Sequence, residues 1–165
     1  MRIKRIILFA AVGILICACG TTSSVTYRPS SDLTAQCIQL AGNGDCIVSI
    51  QESGLNREAA TEAALKSAIY QLLFVGIHGS TENRIQPIPA LIKDANVQQE
   101  KSSYFNSFFK EGIYQNYAEI LPGSVPKVVR QGRGYKVTLT IMLKKESLRK
   151  KLESDNIIKS LSNVI

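Results

Sequence analysis

The sequence is 165 residues long, 45% hydrophobic and 20% charged, with one histidine, four cysteines and a formal net charge of +7. That length makes one ordinary globular domain and leaves no room for a second of similar size. A lone histidine excludes metal sites built from several imidazoles.

Met1 to Arg5 carries three positive charges, and Ile6 to Ile16 is an unbroken apolar run. This is the n-region and h-region of a signal peptide, and the run is shorter than the about 20 apolar residues a membrane-spanning helix needs. It ends in Ile16-Cys17-Ala18-Cys19, which resembles a bacterial lipobox, with an aliphatic residue at −3 and a small one at −1. Cys17 does not fit, because Ile16 would occupy the small-residue position. Cleavage is therefore expected between Ala18 and Cys19, with diacyl attachment at Cys19. The competing reading is an uncleaved anchor helix; a Cys-x-Cys metal site is excluded, since two thiolates do not complete four ligands. More than one acyl chain gives stable anchoring. Gly20 follows the lipidated cysteine where an inner-membrane lipoprotein would have Asp, so the resemblance implies the outer membrane, facing the periplasm.

Removal of residues 1–18 lowers the net charge to 17 basic minus 13 acidic side chains, or +4. Residues 19–126 hold 7 basic and 10 acidic side chains, and residues 127–165 hold 10 and 3. Residues 19–33 are Ser- and Thr-rich without apolar periodicity and read as a flexible tether to a domain over 34–165. There, Gly42-Asn43-Gly44-Asp45 is a turn between two strands, with Cys46, Val48 and Ile50 on one face of the second.

Asn56 is a good N-cap for an Ala-rich helix ending at Gly76, on which Ala60, Ala64, Ser67, Ala68 and Gln71 form a small-residue strip. Residues 77–98, with Pro87 and Pro89, read as an extended loop with a short strand over Ala90–Lys93. Phe105, Phe108, Phe109, Ile113, Tyr117 and Ile120 share one face of a second helix over Gln99–Leu121, interrupted by Gly112 and stopped by Pro122-Gly123. Tyr135–Leu143 alternates as a strand and pairs with Pro126–Gln131 through Gly132-Arg133-Gly134. The C-terminal helix breaks near Ser154-Asp155, which could cap a second short helix carrying Ile157, Ile158 and Leu161. Strands and helices segregate, so the expected class is α+β: two hairpins in a small antiparallel sheet, with the Ala-rich, Phe-rich and C-terminal helices on one face.

Cys37 and Cys46 are the thiols left after processing; they are either a disulfide, apt in an oxidising compartment, or two small buried hydrophobes on adjacent strands. His78 lacks the nucleophile and acid of a catalytic triad, and Glu58 and Glu62 read as a solvated helix face. The glycine pairs at 42/44 and 132/134 are too short for a dinucleotide fingerprint. Lys144, Lys145, Arg149, Lys150 and Lys151, with Lys159 beyond, form a basic tail that behind a lipobox argues against nucleic acid. It is either a solvated helix face or a patch for anionic lipid or an acidic partner.

The segments "SGLNREAATEAALKSAIYQLLF" and "YKVTLTIMLKKESLRKKLE" resemble small envelope lipoproteins of the twenty-kilodalton membrane-associated lipoprotein and flagellar-assembly N-terminal-domain type. "YFNSFFKEG" resembles a group of lipoproteins of the Bacteroides-like phylum. The resemblance spans roughly residues 45–160 and implies an accessory or scaffolding role in an envelope machine, with no catalytic residue to carry over. The expectation is a non-catalytic binding or assembly module without cofactor or metal, held to the membrane by Cys19 and engaging a protein partner in the envelope. The alternatives are a periplasmic cell-wall enzyme, or a carrier of a small apolar ligand with a cavity between the sheet and the Phe-rich helix.

Overall fold

The computed structural model describes residues 27–29 and 35–160; the lipobox residues Ala18 and Cys19 and most of the tether lie outside the described residues. Strands β1 (Gln36–Leu40) and β2 (Cys46–Gly54) form the first hairpin, with Cys37 opposite Val48 and Leu40 opposite Cys46. Gly44, at φ +81°, makes the turn, and Ala41 N–H donates to Asp45 O across it at 2.9 Å. Cys46, Val48 and Ile50 are buried, as the alternation requires.

Helix α1 (Arg57–Tyr70) begins where Asn56 Oδ1 accepts from Ala59 N–H at 2.7 Å. It runs into a π-helical turn, Gln71–Val75, and stops at Gly76, whose N–H donates to Gln71 O at 2.6 Å. The small-residue strip expected on this helix is buried throughout. Its use is close approach: a Cβ on Gly54 would lie 2.5 Å from Ala60 N, so helix and strand meet backbone to backbone.

The expected strand at Ala90–Lys93 does not form. Leu91 and Ile92 instead donate their N–H groups to Leu72 O and Leu73 O, at 3.0 and 2.9 Å, satisfying carbonyls at the end of the helix. The expected second helix is also corrected. It starts earlier, on Asp94, whose Oδ1 accepts from Asn96 N–H at 2.9 Å, and divides into α2 (Ala95–Glu100) and α3 (Ser102–Lys110). Gly112 at φ +77° ends it, a 3-10 turn follows over Ile113–Asn116, and Ala118–Ile120 is a strand, β3. The helical spacing of Tyr117 and Ile120 loses to an unpaired sheet edge that takes their backbone: Ile120 pairs with Ile141, and Lys144 N–H reaches Tyr117 O at 2.9 Å. Pro122-Gly123 then makes a turn inside the sheet edge, with Gly123 at φ +80° and Ser124 N–H bonded to Leu121 O.

Strands β4 (Lys127–Gln131) and β5 (Gly134–Leu143) form the second hairpin. Among the described residues the sheet has five antiparallel strands: β1, β2 and β5 in order, with β3 and β4 sharing the far edge of β5. The architecture is α+β. Helix α1 lies across β2 and β5 over Val137, Leu139, Ile141 and Leu143, all buried. The opposite face carries Ser49, Gln51, Lys136, Thr138 and Thr140.

Helix α4 (Lys145–Ser154) ends in a Schellman motif: Asn156, at φ +56°, donates to Glu153 O and Ile157 donates to Leu152 O. No second helix follows within residues 155–160, because Asp155 is spent elsewhere: its carboxylate accepts from Tyr104 OH at 2.6 Å and from Lys151 Nζ at 2.9 Å. Ile157 turns inward instead and is 9% exposed. Leu161 lies outside the described residues.

Candidate functional site

The basic tail is largely neutralised. Lys144 lies 2.8 Å from Glu119, Lys145 3.2 Å from Glu146, Arg149 3.3 Å from Glu153 and Lys151 2.9 Å from Asp155. Lys150 alone of these five is exposed without an ion pair among the described residues. The partners come from β3 for Lys144, from the next residue for Lys145 and from one helical turn away for Arg149 and Lys151, so a lysine-rich string becomes a set of screened pairs.

Unpaired positive charge sits on the second hairpin. Lys127, Arg130, Arg133 and Lys136 form no ion pair among the described residues, and no acidic residue occurs between Ser124 and Thr140. Every residue of β4 is exposed. Val125 is 90% exposed, Leu55 83% and Val129 52%. Within the hairpin, Lys127 and Val129 lie on the face of Thr138 and Lys136, opposite the face of Arg130 and Tyr135. Among the described residues the outer edge of β4 pairs with no other strand, so its outward N–H and C=O groups can hydrogen-bond an added strand. Gly134 lets the turn end of the hairpin close against the end of β2, since a Cβ there would lie 2.5 Å from Gly54 O. Sequence reading placed the basic excess of residues 127–165 on the helix; the available signal was "KVVRQGRGYK", with cations at the hairpin's tip and no carboxylate nearby.

Three polar side chains meet beneath α1: Ser67 of the small-residue strip, with Glu52 and Tyr27, which sequence reasoning missed. Glu52, 4% exposed, accepts a short hydrogen bond from Ser67 Oγ, and Ser67 accepts from Tyr27 OH at 2.9 Å. The Glu52 Oε2 atom takes Ser53 N–H at 3.2 Å. Burial raises the Tyr27 phenol from 10.0 to about 12. The Tyr27 ring also packs on Tyr70 and Phe109, with centroids 6.1 and 5.1 Å apart. At this position the segment read as a tether is docked on the domain. Ser67 is fully buried with its proton directed at Glu52, so the trio ties the N-terminal segment down rather than presenting a nucleophile.

Cys37 and Cys46 are free, buried thiols on adjacent strands. Burial pushes both thiols up, Cys46 to about 12, which keeps them protonated at neutral pH. His78 is exposed and works through its backbone, donating to Ala35 O and accepting from Cys37 N–H. Glu62 pairs with Lys66 at 2.7 Å, and Glu58 is exposed. Among the described residues no group of three His, Cys, Asp or Glu side chains could hold a metal ion, and no helix is long and apolar enough to cross a membrane. The space expected to hold an apolar ligand, beside the Phe-rich helix, is filled by rings: Phe74 meets Phe105 at 4.9 Å, Phe108 meets Phe109 at 5.4 Å and Phe109 meets Tyr114 at 5.9 Å.

No family model matches this chain, and neither the curated proteins nor the solved structures contain a match to it.

Proposed function

We propose that the protein is a lipid-anchored, non-catalytic binding and assembly module of the bacterial envelope, held at the periplasmic side of the outer membrane by Cys19. In this reading it engages an acidic segment of a protein partner through the second hairpin. The observation that carries it is the open β4 edge, where unpaired backbone groups, exposed Val125 and Val129 and four unneutralised cations coincide. Main-chain pairing with an added strand supplies affinity, and flanking charge selects an acidic partner. A soluble monomer ordinarily blunts such an edge. Lysine and arginine here blunt pairing with like copies while leaving an acidic strand welcome.

The anchor and the edge are tested separately. Mature chain from the native envelope should begin at Cys19 with its acyl modification by mass spectrometry, and Cys19→Ala should leave the membrane fraction; an unmodified, membrane-bound variant would refute the anchor. A photocrosslinking residue at Val129 should give one discrete adduct in intact envelopes. Arg130→Glu with Arg133→Glu should abolish it while Lys150→Glu leaves it unchanged, and an adduct indifferent to those hairpin reversals would sink the docking reading.

A further inference from the structure

A second feature, remote from the hairpin, is an open cleft of about 590 Å³ between the segment Pro89–Asp94 and the C-terminal end of the described chain. Two local devices build it. The bonds from Leu91 and Ile92 to the end of the first helix hold one wall, and the Schellman turn at Asn156 swings Ile157 and Ile158 into the other. Its lining is amphipathic. Leu91, Ile92, Val97, Ile157 and Ile158 contribute apolar surface, and Lys93, Lys145, Arg149 and Lys159 stand around it.

The charges at this cleft are unbalanced. Lys93 and Lys159 are exposed and have no ion pair among the described residues. Arg149 Nε lies 3.3 Å from Glu153 in an ion pair whose geometry makes no hydrogen bond, so this buried N–H has no acceptor. Asp94 is the one carboxylate in the lining, and its Oδ1 already caps α2 through Asn96 N–H. Backbone donors nearby are spent too: Leu91, Ile92 and Val97 donate to Leu72, Leu73 and Asp94 carbonyls. What remains for a ligand is side-chain cations above an apolar floor.

From this geometry we infer that the cleft binds a fatty acid, with the acyl chain along Val97 and Ile158 above the nearly buried Leu91, Ile92 and Ile157, and the carboxylate between Lys93 and Lys159. The size lies within the about 300–1,000 Å³ of small-ligand pockets and suits one chain rather than the two of a phospholipid. The partly exposed side chains of Val97 and Ile158 gain by covering, and the head group gains charge-assisted hydrogen bonds that a neutral amphiphile cannot make. The site is independent of the hairpin, so its failure leaves the docking reading untouched.

The test uses the full lipidated chain in phosphatidylcholine nanodiscs with a diazirine-bearing palmitate, adducts being mapped by peptide mass spectrometry. Adducts are expected on residues 91–97 and 157–160, displaced by unlabelled palmitate but not by hexadecanol. Lys93→Glu with Lys159→Glu should cut their yield about tenfold with melting unchanged, the size expected for losing a charged hydrogen bond. Val97→Phe, which fills the groove, should lower yield without changing charge. Adducts scattered over the surface, equal displacement by hexadecanol, or indifference to both variants would overturn the assignment; displacement by hexadecyl phosphate far below the palmitate concentration would overturn the carboxylate.

Discussion

Tyr27 shows how much one side chain decides. Its hydroxyl reaches Ser67, which reaches Glu52, and its ring lies between Tyr70 and Phe109. Tyr27→Phe should cost about 1 kcal/mol near neutral pH, the usual worth of one such hydrogen bond. The folded protein holds this proton up to about pH 12 while an unfolded chain releases it near 10. That contribution is therefore complete below pH 10 and lost as pH rises towards 12. Tyr104, also raised by burial and then by its bond to Asp155, adds to the same alkaline loss. Denaturant melts from pH 8 to 12 should fall less steeply for Tyr27→Phe, and a parallel fall would contradict the assignment. At the acid end, Tyr104 and then Lys151 hold the Asp155 carboxyl below its usual range, so its contribution is present above about pH 4 and lost below that.

At the scale of elements, the contact between α1 and β2 leaves no room for a side chain at Gly54. Gly54→Ala would drive a methyl against Ala60 backbone, which cannot swing aside as a side chain can. The expected cost is about 2 kcal/mol, typical of overpacking. Gly42→Ala, in the first hairpin turn with nothing within 4 Å, should be neutral to about 0.5 kcal/mol. Urea denaturation of the two variants side by side checks this; equal stabilities would mean that the helix stands further from the strand. The edge of β5 has a different character. It is shared by two short strands with the Pro122-Gly123 turn between them, so β4 can present its outer side while β3 stays under the core.

On the scale of the whole molecule, docking of Tyr27 shortens the link to the membrane. Cys19 and Tyr27 are eight residue steps apart, a reach of roughly 26 Å, whereas a link free as far as Ala35 would reach roughly 53 Å. Under the proposed anchoring, the domain is held close to the bilayer, and the hairpin must meet its partner there. Tyr27→Ala should move the protein layer outward in neutron reflectometry of supported bilayers, and an unchanged spacing would rule out the docked tyrosine as the end of the tether.

Much of the fold was legible because its signals are local. The Asn56 cap, the small-residue strip, the Gly76 stop and both hairpin turns depend on residues within one turn or one strand pair. The candidate surfaces were not legible, because each depends on what distant segments bring. Glu119 silences Lys144 across the sheet edge, and Tyr104 claims Asp155 from another helix. A free edge takes residues 118–120 out of an apparent helix. The sequence alone determined the α+β class, most turns and caps, and the concentration of positive charge beyond residue 126. Only the tertiary structure decided which of those charges stay unpaired, since an ion pair or a cleft wall is set by which segments converge, and convergence leaves no periodic trace along the chain.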